Sequence, residues 1–242
     1  MPGGQIPLNP EAAEHPARLK PGMDRPSIRL RITFSKTGAL RYTGHLDLHK
    51  IWERTVRRAG LPLVYSQGFH PQPKMQLASA LPLGFLGRAE VMDIWLDLPT
   101  EDQPSLFKNL LQQAAPPGLT ILEVEEVDSR LPALQTQIEA ADYEVVLLDP
   151  ADRPSLDQRL SALLAADRLE RERRGKTYDL RPLVQSLSLL PEDGSGATRI
   201  RMRLSACEGA TGRPEEVLET LGIPPEGTRI ERTRLILKSE LQ

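Results

Sequence analysis

The chain has 242 residues, 39% hydrophobic and 26% charged, with a formal net charge of −2. That is enough apolar content for one large or two ordinary packed domains, and it excludes a disordered chain. A single cysteine, Cys207, excludes an internal disulfide and a zinc or iron–sulfur site built from this chain's thiolates alone, so a reducing, cytoplasmic compartment is expected.

Residues 1–27 are rich in Pro and Gly without periodicity and read as a flexible leader. They lack the basic start and apolar stretch of a secretory signal, and no run of 18 apolar residues follows, so no membrane contact is expected. Order begins at Ile28. Leu30, Ile32 and Phe34 alternate with Arg29, Arg31 and Thr33, the pattern of a half-buried strand. Asp47 is placed to cap a helix reaching Ala59 with Leu48, Ile51, Trp52 and Thr55 on its apolar stripe, and Gly60 ends it. A short strand near Leu63–Tyr65, a Gly/Pro-rich loop from Gln67 to Pro73, a strand from Met75 to Leu81 and an alternating strand over Val91–Leu98 follow. Pro104 opens a helix with Leu106, Phe107, Leu110 and Leu111 inward, and Thr120–Val127 closes the unit.

Strand, helix, strand, strand, helix, strand is the split βαβ order, and the second half repeats it. There, a strand at Tyr143–Leu148 precedes a helix over Pro154–Ala165. Strands at Leu169–Tyr178 and Ile200–Leu204, a short helix over Pro214–Leu221 and a last strand over Ile230–Leu237 complete it. The expected fold is α+β: two ferredoxin-like halves in tandem, residues 28–130 and 131–242, each an antiparallel sheet with helices on one face.

The net charge hides a strong asymmetry. Residues 29–88 carry ten Lys/Arg against two acids, whereas residues 89–167 carry four against sixteen. A positive segment of this kind steers phosphate-bearing partners. The expected RNA-contacting residues are Arg29, Arg31, Lys36, Arg41, Tyr42, Arg54, Arg57, Arg58, Gln67, Gly68, His70 and Lys74. A second basic cluster, Arg173, Arg174 and Lys176 with Tyr178 for stacking, surrounds an expected hairpin tip at Gly175-Lys176, where cross-strand ion pairing is the alternative. In the Gln67–Pro73 loop, Gly68 permits close backbone approach and Pro71 and Pro73 stiffen the turn around His70; the other reading is a rigid connection whose Phe69 plugs the core.

Catalysis is weakly signalled. His45 and His70 could serve as acid and base in metal-free RNA cleavage if folding brings them together. No Gly-Lys-Ser/Thr phosphate loop, dinucleotide glycine fingerprint, His-Glu-x-x-His helix or Gly-x-Ser-x-Gly elbow is present, and no cofactor or metal is expected.

The runs His45-Leu46-Asp47, Arg57-Arg58-Ala59-Gly60-Leu61-Pro62, Tyr65-Ser66-Gln67-Gly68-Phe69-His70-Pro71-Gln72-Pro73-Lys74 and Leu81-Pro82-Leu83-Gly84 resemble the radical-SAM-linked uncharacterised domain family. Lys176-Thr177-Tyr178-Asp179-Leu180-Arg181-Pro182 and Arg213-Pro214-Glu215-Glu216-Val217-Leu218 are also similar to its pattern. In that family the domain stands alone or is fused behind a radical S-adenosylmethionine enzyme. A radical enzyme needs three cluster cysteines and this sequence has one, so the resemblance implies a separate radical SAM enzyme as partner. Paired ferredoxin-like halves with a Gly-rich segment also resemble, in architecture, CRISPR repeat-processing endoribonucleases. Three functions follow as expectations: an RNA-binding or substrate-presenting accessory module, a metal-independent endoribonuclease, or a protein-interaction domain.

Overall fold

A computed structural model describes residues 27–98, 104–194 and 196–238. Most of the expected leader lies outside the described residues. The first half begins with β1 (Ile28–Lys36), whose Leu30, Ile32 and Phe34 are fully buried on one face. α1 (His45–Arg58) starts one turn earlier in its own register than expected: Gly44 is the N-cap and Asp47 sits inside the first turn, where its carboxylate still favours the helix dipole. Its stripe of Leu48, Trp52, Thr55 and Val56 is buried, with the Trp52 ring edge-on to Phe34 at 4.9 Å between centroids. β2 is short (Met75–Leu77) and β3 long (Leu86–Leu96). α2 (Pro104–Ala114) buries Phe107 and Leu111, and β4 (Leu119–Val127) ends the half. The expected strand at Leu63–Tyr65 reduces to two isolated bridges, Leu63 to Leu96 and Tyr65 to Pro73. Pro62 and Pro73, which have no amide hydrogen to donate, leave too little uninterrupted backbone for a ladder.

The second half comprises β5 (Ile138–Leu147), α3 (Arg153–Ala165), the hairpin β6 (Glu170–Arg173) and β7 (Lys176–Asp179), then β8 (Val184–Leu189), β9 (Arg199–Cys207), β10 (Ala210–Thr211), α4 (Pro214–Thr220) and β11 (Thr228–Leu237). In the first half the strands lie in the order β4-β1-β3-β2, and in the second β11-β5-β9-β8. Both are the ferredoxin-like 4-1-3-2 arrangement, with helices after the first and third strands packed on one face. β11 runs parallel to β3 at Glu231–Leu86 and Arg232–Gly87, so the halves fuse into one nine-stranded sheet.

There are two apolar clusters: Phe34, Trp52, Ile94 and Phe107 belong to that of the first half, and Val145, Leu160, Met202 and Val217 to that of the second, which Ala78, Leu81, Phe85 and Val91 of the first half also join. Between them, at the β3–β11 junction, lies a buried polar seam. Arg232, 1% exposed, is ion-paired to Glu90, 3% exposed, and donates to the Ser79 carbonyl at 3.1 Å and the Ala80 carbonyl at 3.2 Å.

The other face of the first half is not open to solvent where β1 and β3 meet. The connection from β4 to β5 folds across it. Arg29 donates to the carbonyls of Leu131 (2.6 Å) and Pro132 (3.0 Å), and Gln76 accepts the Leu134 amide at 2.9 Å. Beneath this strap Leu134 is fully buried.

Candidate nucleic-acid interface

The strap decides the fate of the first expected cations. Arg29 and Arg31 alternate away from the apolar core as their parity requires, but the face they occupy is covered. Arg29 is 1% exposed and donates to Asp93 at 2.9 and 2.6 Å; Arg31 donates to the same carboxylate at 2.9 and 3.1 Å. Two guanidiniums share one fully buried carboxylate, the surplus charge being met by backbone and Gln137 oxygens. Lys36 is likewise buried, its ammonium donating to the Thr43 carbonyl at 2.9 Å; burial lowers its pKa from the ordinary lysine value, against the pull of Glu90. These three cations hold the fold and do not reach a ligand, which corrects the expectation for them.

The remaining cations of the first half divide along α1. Arg41 and Tyr42 lie beside the helix N-terminus, the guanidinium 4.6 Å from the ring it hydrogen-bonds. Arg54, Arg57 and Arg58 lie on the exposed side of its second half. Fourteen residues at about 1.5 Å each separate the two ends by roughly 20 Å. Arg57 donates to the Tyr65 hydroxyl at 2.9 Å and pairs with Glu53 at 3.0 Å. Among the described residues Arg54 and Arg58 have no ion-pair partner.

Tyr65 opens the Gly/Pro-rich loop, which folds as a tight hairpin rather than a loose connection. The Ser66 amide donates to the Gln72 carbonyl at 2.8 Å, and the Gln72 amide donates to the Ser66 hydroxyl at 3.0 Å. Gly68 has φ of 145°, a conformation that disfavours any side chain. The tip presents Gln67, Phe69 and His70 outward. Phe69 is fully exposed, so the plug reading fails, and the loop ends in an aromatic ring with no core to fill. Behind the tip, Lys74 is exposed with its ammonium 4.6 Å above the Trp95 ring, which the Arg29 guanidinium also meets at 4.8 Å. The buried Arg29–Asp93 pair thus fixes Trp95, and Trp95 fixes the position of a surface cation.

His45 is the first residue of α1, while His70 sits on the hairpin that Arg57 ties to the helix's other end. The structure does not bring the two imidazoles together. Partial burial and the neighbouring His49 lower the His45 pKa, which suits a helix N-terminus better than an acid catalyst.

The second cluster is mostly structural. β6 and β7 pair Arg173 with Lys176, so the turn residues are Arg174 (φ 51°) and Gly175 (φ 72°), the two positive φ values of a type I′ hairpin turn, one residue before the expected tip. Arg173 is committed to Glu216 on α4 at 2.6 Å and stacks 4.8 Å from the Tyr178 ring, so neither is free for a partner. Arg174 and Lys176 alone project into solvent. In the Lys176–Pro182 motif, Asp179 accepts the Leu169 and Arg181 amides at 2.8 and 3.0 Å, and Arg181 donates to the Leu164 carbonyl at 2.8 Å, closing the C-terminus of α3.

Sequence reading missed two groups. Phe69 stands among polar neighbours in a turn, and its exposure was a signal available in that context. The other group is the arginines of β9 and β11, Arg199, Arg201 and Arg203 with Arg232 and Arg234, whose alternation marks strands but not the neighbours their charges meet.

A protein-family profile described as "Uncharacterized protein conserved in bacteria (DUF2344)" matches residues 29–214. No curated protein matches. Among solved structures, the chain is similar to a chain of the archaeal box H/ACA sRNP Nop10–Cbf5 complex, at 13% identity over 85% of this chain and 47% of that one, with a TM-score of 0.41. The chain therefore spans about half the length of that protein. It is also similar to the acetolactate synthase small subunit from Thermotoga maritima, at 11% identity over 87% of this chain and 95% of that one, with a TM-score of 0.23. Among the described residues no helix is long and apolar enough to cross a membrane, and no group of three or more metal-ligating side chains converges.

Proposed function

The chain belongs to that bacterial DUF2344 family, and on this premise we propose that it is an RNA-binding module that holds single-stranded RNA against the Tyr65–Pro73 hairpin. One observation carries the reading. An aromatic ring, Phe69, stands fully exposed at the tip of a hairpin stiffened by its own hydrogen bonds, with Arg57 anchored at its base and Lys74 behind it. Stacking supplies sequence-tolerant contact with an unpaired base, and nearby cations follow its phosphates. Gln67 and His70 offer hydrogen-bonding groups to a base edge at the same tip.

The chemistry that such a module serves would come from elsewhere. Cys207 cannot form a three-cysteine cluster site, so the radical SAM association implied by the sequence resemblance takes the form of a partner enzyme to which this chain presents RNA. Endoribonuclease activity through His45 and His70 has no support from their placement, one at the start of α1 and the other on the hairpin that Arg57 ties to the helix's last turn.

Fluorescence anisotropy of a labelled single-stranded RNA, titrated across salt concentrations, tests the reading. Affinity should fall as salt rises with a log–log slope of about −0.7 per phosphate contacted. Arg58→Ala and Lys74→Ala should each weaken binding and make that slope shallower. Salt-independent binding, or curves for both variants identical to the parent's, would contradict it.

A further inference from the structure

A second charged surface lies outside this site, on the helix-free face of the second half. Two β1 steps, from Phe34 to Lys36, face three β3 steps, from Glu90 to Gly87. The extra residue is a bulge that turns Arg88 onto this face. There it meets the outward side chains of β9 and β11. Arg88, Arg201, Arg203 and Arg234 line a trough of about 260 Å³ together with Asp142 and Glu144, and Arg88 is also ion-paired to Glu231.

Both carboxylates are already engaged. Asp142 accepts from Arg203 at 2.6 and 2.8 Å, and Glu144 is shared between Arg88 at 3.7 Å and Arg199 at 3.3 Å. Arg201 is left over. It is exposed, it stands between Ser188 on β8 and Glu144 on β5 in the ladder, and among the described residues it has no hydrogen-bond or ion-pair partner. The hydroxyls of Ser186 and Thr233 also border the trough.

The geometry points to a binding site for a phosphate group in this trough, with Arg201 as its principal ligand. A guanidinium without a carboxylate presents its planar fork to an oxyanion, while the neighbouring Arg203 and Arg88 are held in place by their own carboxylates. No aromatic ring lines the trough, so it recognises the phosphate and not a base. Its volume falls below the roughly 300–1,000 Å³ typical of sites that enclose a whole small-molecule ligand. The shared chemistry is a phosphate ester, which a free phosphorylated metabolite and an RNA backbone both supply. The site does not depend on the hairpin reading.

Arginine side-chain Nε–Hε signals of the full chain, followed by NMR at constant ionic strength, provide the test. Inorganic phosphate and a single-stranded RNA are titrated separately, with chloride as the control. The Arg201 signal should move saturably with at least one of them, and Arg201→Ala should weaken that binding at least fivefold. Lys50→Ala, at an exposed lysine outside both sites, should leave phosphate binding unchanged. Movement with phosphate but not RNA identifies a small phosphate ester as the occupant; movement with RNA at lower phosphate concentration identifies the backbone. Retained phosphate binding in a protein that binds no RNA would sink the hairpin reading and leave this one standing. The site is overturned if neither titrant moves Arg201 saturably, or if chloride does so equally.

Discussion

At the scale of single residues, the difference between Arg29 and Lys74 shows what a cation's neighbours decide. Both contact the Trp95 ring, yet one is sealed against Asp93 and the other faces water. Strand alternation correctly put Arg29 and Arg31 opposite the apolar side chains of β1. It could not show that a segment a hundred residues further along would cover them, because periodicity reports parity and not what packs on the second face. Phe69 is the converse case: an apolar residue whose hydropathy suggests the core and whose place on a closed hairpin tip forbids it. Phe69→Ala should cost RNA affinity by about 1–3 kcal/mol, the usual worth of one stacked base. The salt slope should stay unchanged, because the ring carries no charge. An altered slope, measured by the same anisotropy titrations, would mean that Phe69 acts by positioning cations and not by stacking.

Among the elements, the long apolar stripes were legible and the short polar strands were not. α1, α2 and α3 each show helical spacing strong enough to place them. β8, with Val184, Leu187 and Leu189 set among polar residues, breaks strict alternation because the register shifts between Val184 and Ser186. The hairpin β6–β7 was legible as a basic cluster, but its purpose lies in Asp179 and Arg181, which tie it to α3. Two backbone amides, from Leu169 and Arg181, hold the Asp179 carboxyl below its ordinary range, offset in part by desolvation. Its folded pKa is depressed, so its contribution is present above about pH 4 and is lost as pH falls through the folded value. Asp179→Ala should therefore speed hydrogen exchange at the Leu169 and Arg181 amides near neutral pH, and the variant should lose less stability on acidification than the parent. Exchange rates equal to the parent's would show that the turn holds without this carboxylate.

For the molecule as a whole, the tandem order of elements was readable, but the single sheet was not. Joining the halves requires β11 to lie parallel to β3, a pairing between the last strand and a strand some 140 residues earlier that no local pattern announces. Arg232 and Glu90 mark that junction. Removing one partner of a buried pair strands the other charge, so Glu90→Gln should destabilise the chain by about 3–5 kcal/mol in chemical denaturation. The double replacement Glu90→Leu with Arg232→Met should recover most of that loss, since neither charge then remains buried alone. Equal losses in single and double variants would mean that the pair itself drives assembly of the two halves. The charge asymmetry along the chain survives folding only in part: Arg29, Arg31 and Lys36 are withdrawn, leaving Arg57 and Lys74 beside the hairpin and Arg54 and Arg58 exposed on the helix that carries Arg57. Whether those groups and Phe69 grip RNA is most directly tested by ultraviolet cross-linking of the protein to cellular RNA, followed by mass spectrometry of the nucleotide-bearing peptides. The predicted adduct lies on the peptide spanning Tyr65 to Lys74, at Phe69 or His70. Cross-links confined to other surfaces, or no adduct at all, would contradict the account.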